Sequence, residues 1–199
     1  MAWEIRIRKA ERKRIEKLPA LIQATLITLI REMEIKGPVR GNWPNYKRLR
    51  KDRHHCHLKK GHPAFVAVWE VRDNEIKLIE VTMPELTKKH LTDFVDIRVI
   101  GPIANRARAL DALKNLGFMD ATDSVPWREA FPKYQKDDLP GVALQGARTR
   151  EELTQARLSE LTGIPQRHLS MMEHGKRPIG KKNAQLLAKV LKVDYRVFL

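Results

Sequence analysis

Leu153-Thr154-Gln155-Ala156-Arg157-Leu158-Ser159-Glu160-Leu161-Thr162-Gly163-Ile164-Pro165-Gln166-Arg167-His168-Leu169-Ser170-Met171-Met172-Glu173-His174-Gly175-Lys176-Arg177-Pro178 contains two helical patterns separated by a glycine. Leu158, Leu161, Ile164, Leu169 and Met172 recur at the spacing that puts apolar side chains inside the corner of two short crossed helices. Thr154 reads as the N-cap of the first helix, and Gly163 supplies the positive φ that the intervening turn requires. The residues left outside are polar and rich in donors. Gln155 opens the first helix, Gln166 and Arg167 open the second, and Ser170 follows one turn later. A helix that carries such groups at its N-terminal end can present them to base edges in a DNA major groove.

Residues 142–193 resemble the Cro/C1-type (XRE) helix-turn-helix family. Gln155, Gln166 and the exit Glu173-His174-Gly175-Lys176-Arg177-Pro178 stand where that family keeps such residues. The resemblance implies base contacts from Gln166, Arg167 and Ser170, with Met171 against a thymine methyl. It implies phosphate contacts from Gln155, Lys176, Arg177, Lys181 and Lys182. It further implies that a homodimer reads paired half-sites of operator DNA and represses its own operon. Pro165 departs from the family's usual Ser or Thr cap, although proline is tolerated at a helix start. The competing reading is a helical hairpin that merely packs.

The net charge of +15 is unevenly placed along the 199 residues. Residues 1–82 hold 19 Lys and Arg against 10 Asp and Glu, residues 147–199 hold 11 against 5, and residues 83–146 hold 9 of each. Two basic bodies flanking a neutral one suggest two surfaces for polyanions. A single cysteine, Cys56, argues against a disulfide framework, and no apolar run is long enough to span a membrane. The N-terminus lacks a signal-peptide core, so the expected location is cytoplasmic. No phosphate loop or other cofactor signature is present, and no cofactor is expected.

The first basic body begins with an alternating strand at 3–8. A helical pattern from Ala10 to Glu34 follows, with Ile15, Leu18, Leu21, Ile22, Leu26, Leu29, Ile30 and Met33 as its apolar stripe. Pro19 interrupts that stripe, which makes either one helix or a helical hairpin. Strands are predicted at 54–60, 64–71 and 75–82, with Asp73-Asn74 as a tight turn between the last two. Period-two alternation puts Cys56 and Leu58 on the core face of the first of these strands and His55, His57 and Lys59 on the other, preceded by Arg50 and Arg53. Such a face suits an RNA backbone and the charge that develops when a 2′-hydroxyl attacks phosphate. It is equally compatible with a solvated basic edge strand. Metal binding by His54, His55, Cys56 and His57 is a third reading, opposed by their divergence to opposite faces.

This element order, closed by Lys59-Lys60-Gly61-His62-Pro63-Ala64-Phe65-Val66-Ala67-Val68-Trp69-Glu70-Val71, resembles the RelE/HigB-like toxins of bacterial toxin-antitoxin pairs over residues 2–82. The resemblance implies a metal-independent ribonuclease acting on messenger RNA at the ribosome, with Arg50, Arg53, His55, His57 and Lys59 as candidate catalytic groups. Two departures count against activity. The strand at 64–71 lacks the arginine many members carry, and the last strand runs straight into Met83-Pro84-Glu85-Leu86, omitting the family's terminal catalytic segment.

The resulting expectation is an α+β chain. A RelE-like domain with a small antiparallel sheet (1–82) is followed by an antitoxin connector (83–141) and an all-α helix-turn-helix domain (142–199). Its function is DNA binding and autorepression with the toxin-like domain neutralised in cis, and the alternative is an active ribonuclease. Within the connector, 94–100 suggests a strand. Ile103 to Leu116 suggests a helix with Ala104, Ala107, Leu110, Leu113 and Leu116 on one face and Gly117 at its end. Trp127 and Phe131 are apolar anchors expected to pack on the helix-turn-helix domain, the alternative being that they cover the toxin-like domain.

Overall fold

A computed structural model describes residues 3–49, 52–82, 97, 99–118, 120 and 123–199. Strand β1 (Glu4–Arg8) leads into α1 (Lys9–Glu16) and α2 (Ala20–Lys36), with Pro19 at the N-cap of α2. The interrupted stripe is therefore two helices, because proline cannot donate within a continuous one. Then come β2 (Lys47–Arg48), β3 (Arg53–His57), β4 (Val66–Arg72) and β5 (Glu75–Thr82). After α3 (Arg106–Asn115), β6 (Ser124–Pro126) and a 3-10 turn (Trp127–Ala130), the C-terminal part is helical: α4 (Leu139–Arg150), α5 (Gln155–Thr162), α6 (Gln166–Glu173), α7 (Lys181–Leu191) and a last 3-10 turn (Tyr195–Phe198).

The six strands form one sheet in the order β2-β3-β4-β5-β1-β6. It is mixed rather than antiparallel. The meander β3-β4-β5 is antiparallel as predicted, but β1 runs parallel to β5, because the helical pair α1–α2 and the strands after it separate the two in sequence. Asp73, with φ of 52°, turns β4 into β5. One face of the sheet presents Ile5, Ile7, Cys56, Ala67, Trp69, Ile76 and Leu78 to α2, and these residues form the main core. The opposite face carries a small buried cluster of Val66, Val68 and Ile79.

The connector departs from expectation. β6 pairs antiparallel with β1, so the sheet draws its sixth strand from beyond residue 82. Trp127, Ala130 and Phe131 belong to the N-terminal core rather than to the helix-turn-helix, and the Trp127 indole donates to Glu34 at 2.7 Å. The predicted strand at 94–100 lies mostly outside the described residues; Ile97, Val99 and Ile100 are exposed and not in a strand. The helix predicted at 103–116 forms as a 3-10 turn (Ile103–Asn105) followed by α3, and Gly117 ends it at φ 83°. Its apolar face is not buried.

Helix α4 is the common wall of two cores. Leu139 and Val142 complete the N-terminal core, while Ala143, Leu144 and Ala147 belong to the C-terminal one. The other side of α2 lies directly against α4. Thr28 Oγ1 donates to the Ala143 carbonyl at 2.9 Å, and Thr25 Oγ1 donates to that of Gly146 at 3.3 Å. Gly146 permits this approach, since a Cβ there would overlap the Ala24 carbonyl and the Thr28 hydroxyl. Arg31 adds a second tie, its Nε and NH2 donating to the Val197 and Leu199 carbonyls at 2.8 Å each. Lys36 pairs with Asp194 at 3.2 Å. Arg150 is fully buried between the two bodies, its guanidinium 4.7 Å from the Trp43 ring centroid.

Candidate nucleic-acid interface

The local chemistry of α5 and α6 follows the sequence closely. Thr154 caps α5, its hydroxyl accepting from the Arg157 amide at 3.0 Å, and Gly163 ends the helix in the left-handed region at φ 71°. Pro165 occupies the N-cap position of α6, so the helix starts at Gln166 without a capping oxygen. Leu158, Ile164, Leu169 and Met172 are buried in the corner, joined by Ala184, Leu187, Leu191, Val197 and Phe198. Leu161, expected inside, is 45 % exposed; the corner is already filled without it.

A buried ion pair that the sequence reading missed fixes how the two helices cross. Glu173, at the end of α6, accepts from Arg148 of α4 in a two-point contact, Nε to Oε1 at 2.6 Å and NH2 to Oε2 at 2.9 Å. Gln155 Nε2 donates to the same Oε2 at 2.8 Å, and Arg148 NH1 donates to the Leu153 carbonyl at 2.8 Å. Three helices thus converge on one carboxylate. Gln155, predicted as a phosphate contact, also holds the start of α5 against the end of α6. Gly141 lets α4 approach α6, since a Cβ there would lie 2.9 Å from the Glu173 carbonyl oxygen. The clue was an Arg, a Gln and a Glu at compatible helical positions, but only the fold shows that they meet.

With that frame fixed, Gln166 and Arg167 are exposed at the start of α6, while Ser170 and Met171 lie half-buried one turn on. Lys176, Arg177, Lys181 and Lys182 are all exposed. No acidic residue occupies the first turn of α5, α6 or α7. Lysines at the first turn of α7 oppose that helix's own dipole, an arrangement that an approaching phosphate reverses. The starts of α6 and α7 have no side-chain cap and stand next to cations, which equips their amides for phosphate oxygens. His174, absent from the predicted set, is exposed in the exit, its Nδ1 bonded to the Ser170 carbonyl at 2.7 Å.

Residues 144–198 match the sequence model of the family described as Helix-turn-helix. The match, over this part of the chain, supports sequence-specific DNA binding and transcription regulation. Comparison with curated proteins and with solved structures gave no match.

The second predicted site, on the sheet, is assembled only in part. His55 and His57 share the face away from α2, and Lys47 lies opposite His55. Burial first, then the charges of His57 and Lys47 on His55 and that of His62 on His57, holds both imidazoles below their ordinary range. Asn45 Nδ2 donates to His57 Nδ1 at 3.1 Å. Arg53 is a correction: its side chain is buried in an ion pair with Glu70, its cross-strand partner, and does not face solvent. Lys59 Nζ donates to the His62 carbonyl at 3.2 Å and lies 3.8 Å from Glu152, while Lys60 pairs with Glu151 at 2.5 Å. Arg50 lies outside the described residues. His54 and Cys56 turn inward, His54 stacking on Trp69 at 5.8 Å, so the four residues of the metal reading divide between the two faces of the sheet. Among the described residues no group of His, Cys, Asp and Glu is arranged to hold a metal, and no helix is long and apolar enough to cross a membrane.

Proposed function

We propose that this chain is a toxin-antitoxin-type repressor in which one polypeptide carries both partners. The helix-turn-helix domain (142–199) reads operator DNA as a pair of copies and represses its own promoter. The connector (83–141) and the turn after α4 hold the RelE/HigB-like body (1–82) silent. Gln166, Arg167 and Ser170 meet base edges with Met171 beside them, and Gln155, Lys176, Arg177, Lys181 and Lys182 hold phosphates.

The clasp on the N-terminal body is the observation that carries the reading. β6 extends the sheet along β1, Trp127 and Phe131 complete its core, and Glu151 and Glu152 take up Lys60 and Lys59. A strand added to a sheet edge is a general way for one protein segment to bind another. The ribonuclease alternative is less well supported. Arg53 is committed to Glu70, Lys59 is held, and two imidazoles kept below their ordinary range are neutral at pH 7 and so poor stabilisers of phosphate charge.

The test uses the whole chain, because residues 1–82 alone would expose the side of α2 that α4 covers. The chain is expressed in a bacterium while growth and messenger integrity are followed. Duplexes bound from a random pool are sequenced in parallel. The expected result is a defined DNA sequence, normal growth and intact messengers. Messenger cleavage by the full chain that is abolished in His57→Ala would overturn the silent-partner reading in favour of the enzyme.

A further inference from the structure

The segment that clasps the N-terminal body also builds a pocket of its own. Trp127, Arg128, Phe131, Tyr134, Lys136 and Leu139 line a cavity of about 370 Å3, within the size range of small-molecule sites. Its floor is apolar and fixed. Trp127, Phe131 and Leu139 are buried in the main core, Phe131 meets the Trp127 ring edge-on at 6.0 Å, and Tyr134 tilts against Phe131 at 6.3 Å. Rings locked in this way offer apolar surface with little left to order when something binds.

The rim is cationic, and no acidic side chain lines it. Arg128 and Lys136 are both exposed. The Arg128 guanidinium lies 4.7 Å from the centre of the Trp127 ring, a stacking contact that orders it while leaving its N–H groups able to donate. Glu34, its ion-pair partner, stands off at 3.9 Å and takes the shorter bond, at 2.7 Å, from the Trp127 indole. Tyr134 supplies a third donor. Among the described residues its hydroxyl has no hydrogen-bond partner, and burial pushes the phenol above its ordinary range, so the proton stays on oxygen at pH 7. A guanidinium fork matches the two oxygens of a carboxylate, whereas a cationic ligand would be repelled at this rim.

We infer that this pocket binds a small planar aromatic carboxylic acid, its ring on the floor of Trp127, Phe131 and Leu139 and its carboxylate held by Arg128, Lys136 and Tyr134. The pocket's chemistry does not depend on what the helix-turn-helix reads. Its position nevertheless bears on that domain. Leu139 is the first residue of α4, and two residues on, Gly141 lies against the Met172 and Glu173 carbonyls at the end of α6. A ligand seated on Leu139 therefore touches the helix that positions α6.

The experiment titrates naphthoate into the isotope-labelled full chain, with neutral naphthalenemethanol and cationic naphthylmethylamine as comparisons of the same ring size. The readout is the indole N–H resonance of Trp127, one of four tryptophans, assigned by its loss in Trp127→Phe. Naphthoate is expected to move that resonance saturably, with half-saturation at or below about 1 mM, and to bind about 10-fold more tightly than the alcohol. The amine should not bind. Arg128→Gln, at an exposed position, should weaken naphthoate about 10-fold and leave the affinity for the alcohol unchanged, which shows that the floor is intact. Tyr134→Phe should weaken naphthoate less, since it removes a neutral donor rather than a charged one. No saturable movement of the Trp127 resonance with naphthoate up to about 10 mM overturns the site. So does an amine that binds as tightly as naphthoate, or a naphthoate affinity that Arg128→Gln leaves untouched. Saturation that moves the resonances of Trp3, Trp43 or Trp69 while Trp127 stays still also overturns it.

Discussion

Gly146→Ala reverses the usual sign of a glycine replacement, and the reversal follows from how α2 lies on α4. In a free helix, alanine in place of glycine stabilises by about 1 kcal/mol. Here the new methyl would fall within 3.0 Å of the Ala24 carbonyl and the Thr28 hydroxyl, a separation that real Cβ atoms essentially never show. Restoring van der Waals distance moves the helices apart by about 1 Å. Overpacking of this kind costs about 1–3 kcal/mol. The separation also weakens the Thr28–Ala143 and Thr25–Gly146 hydrogen bonds. Each hydroxyl proton is already shared with a carbonyl of its own helix, at 3.0 Å for Thr28 and 2.8 Å for Thr25, so their combined loss is about 1 kcal/mol. The balance is a net destabilisation of about 1–3 kcal/mol, a fall in melting temperature on the order of 5 °C for a chain of this size. Scanning calorimetry of the full chain measures it, with Gly101→Ala as control, since nothing lies within 4 Å of a Cβ there. A gain in stability for Gly146→Ala would show that the two helices are not in contact and would refute the docking of the two bodies.

Three further outcomes are expected. Glu173→Ala leaves the nearly buried Arg148 guanidinium without its carboxylate and should cost about 3–5 kcal/mol in urea unfolding, more than a surface ion pair could; a loss under about 1 kcal/mol would contradict the buried junction of α4, α5 and α6. Thr154→Ala removes the oxygen that caps α5 and should cost about 1 kcal/mol, with Thr154→Ser restoring most of it. Burial holds His54, His55 and His57 below the ordinary 6.5 in the folded chain, so the unfolded chain binds protons first as the pH drops. Stability is then fully present above 6.5 and declines as acid titrates these groups, and replacing His55 and His57 by Gln should flatten the fall in melting temperature below pH 6.5. An unchanged slope in that variant would contradict it.

The helix-turn-helix was legible because its determinants are local. A cap, a left-handed glycine and an apolar period of three to four residues act within one or two turns of chain, and Thr154, Gly163, Leu158, Ile164, Leu169 and Met172 all behave as the sequence suggests. What escaped was non-local. The meeting of Arg148, Gln155 and Glu173 depends on the crossing angles of three helices, and the burial of Arg53 depends on Glu70 standing opposite it on β4. The parallel pairing of β1 with β5 and the addition of β6 join segments with no sequence relation. Trp127 and Phe131 announced an apolar anchor but not its target. Helix α2 held a clue that periodicity analysis passes over: Ala24, Thr25 and Thr28, small residues opposite the aliphatic stripe, are what a second helix needs for a close approach.

The most direct measurement compares wild type and Arg167→Ala on two duplexes, the sequence selected by the full chain and a scrambled one, at a single salt concentration. Arg167 as a base reader predicts a loss of about 1–3 kcal/mol on the selected sequence, roughly 5-fold to 150-fold, with little change on the scrambled duplex. Equal losses on both would make Arg167 a phosphate contact and leave the recognition helix without its proposed reader.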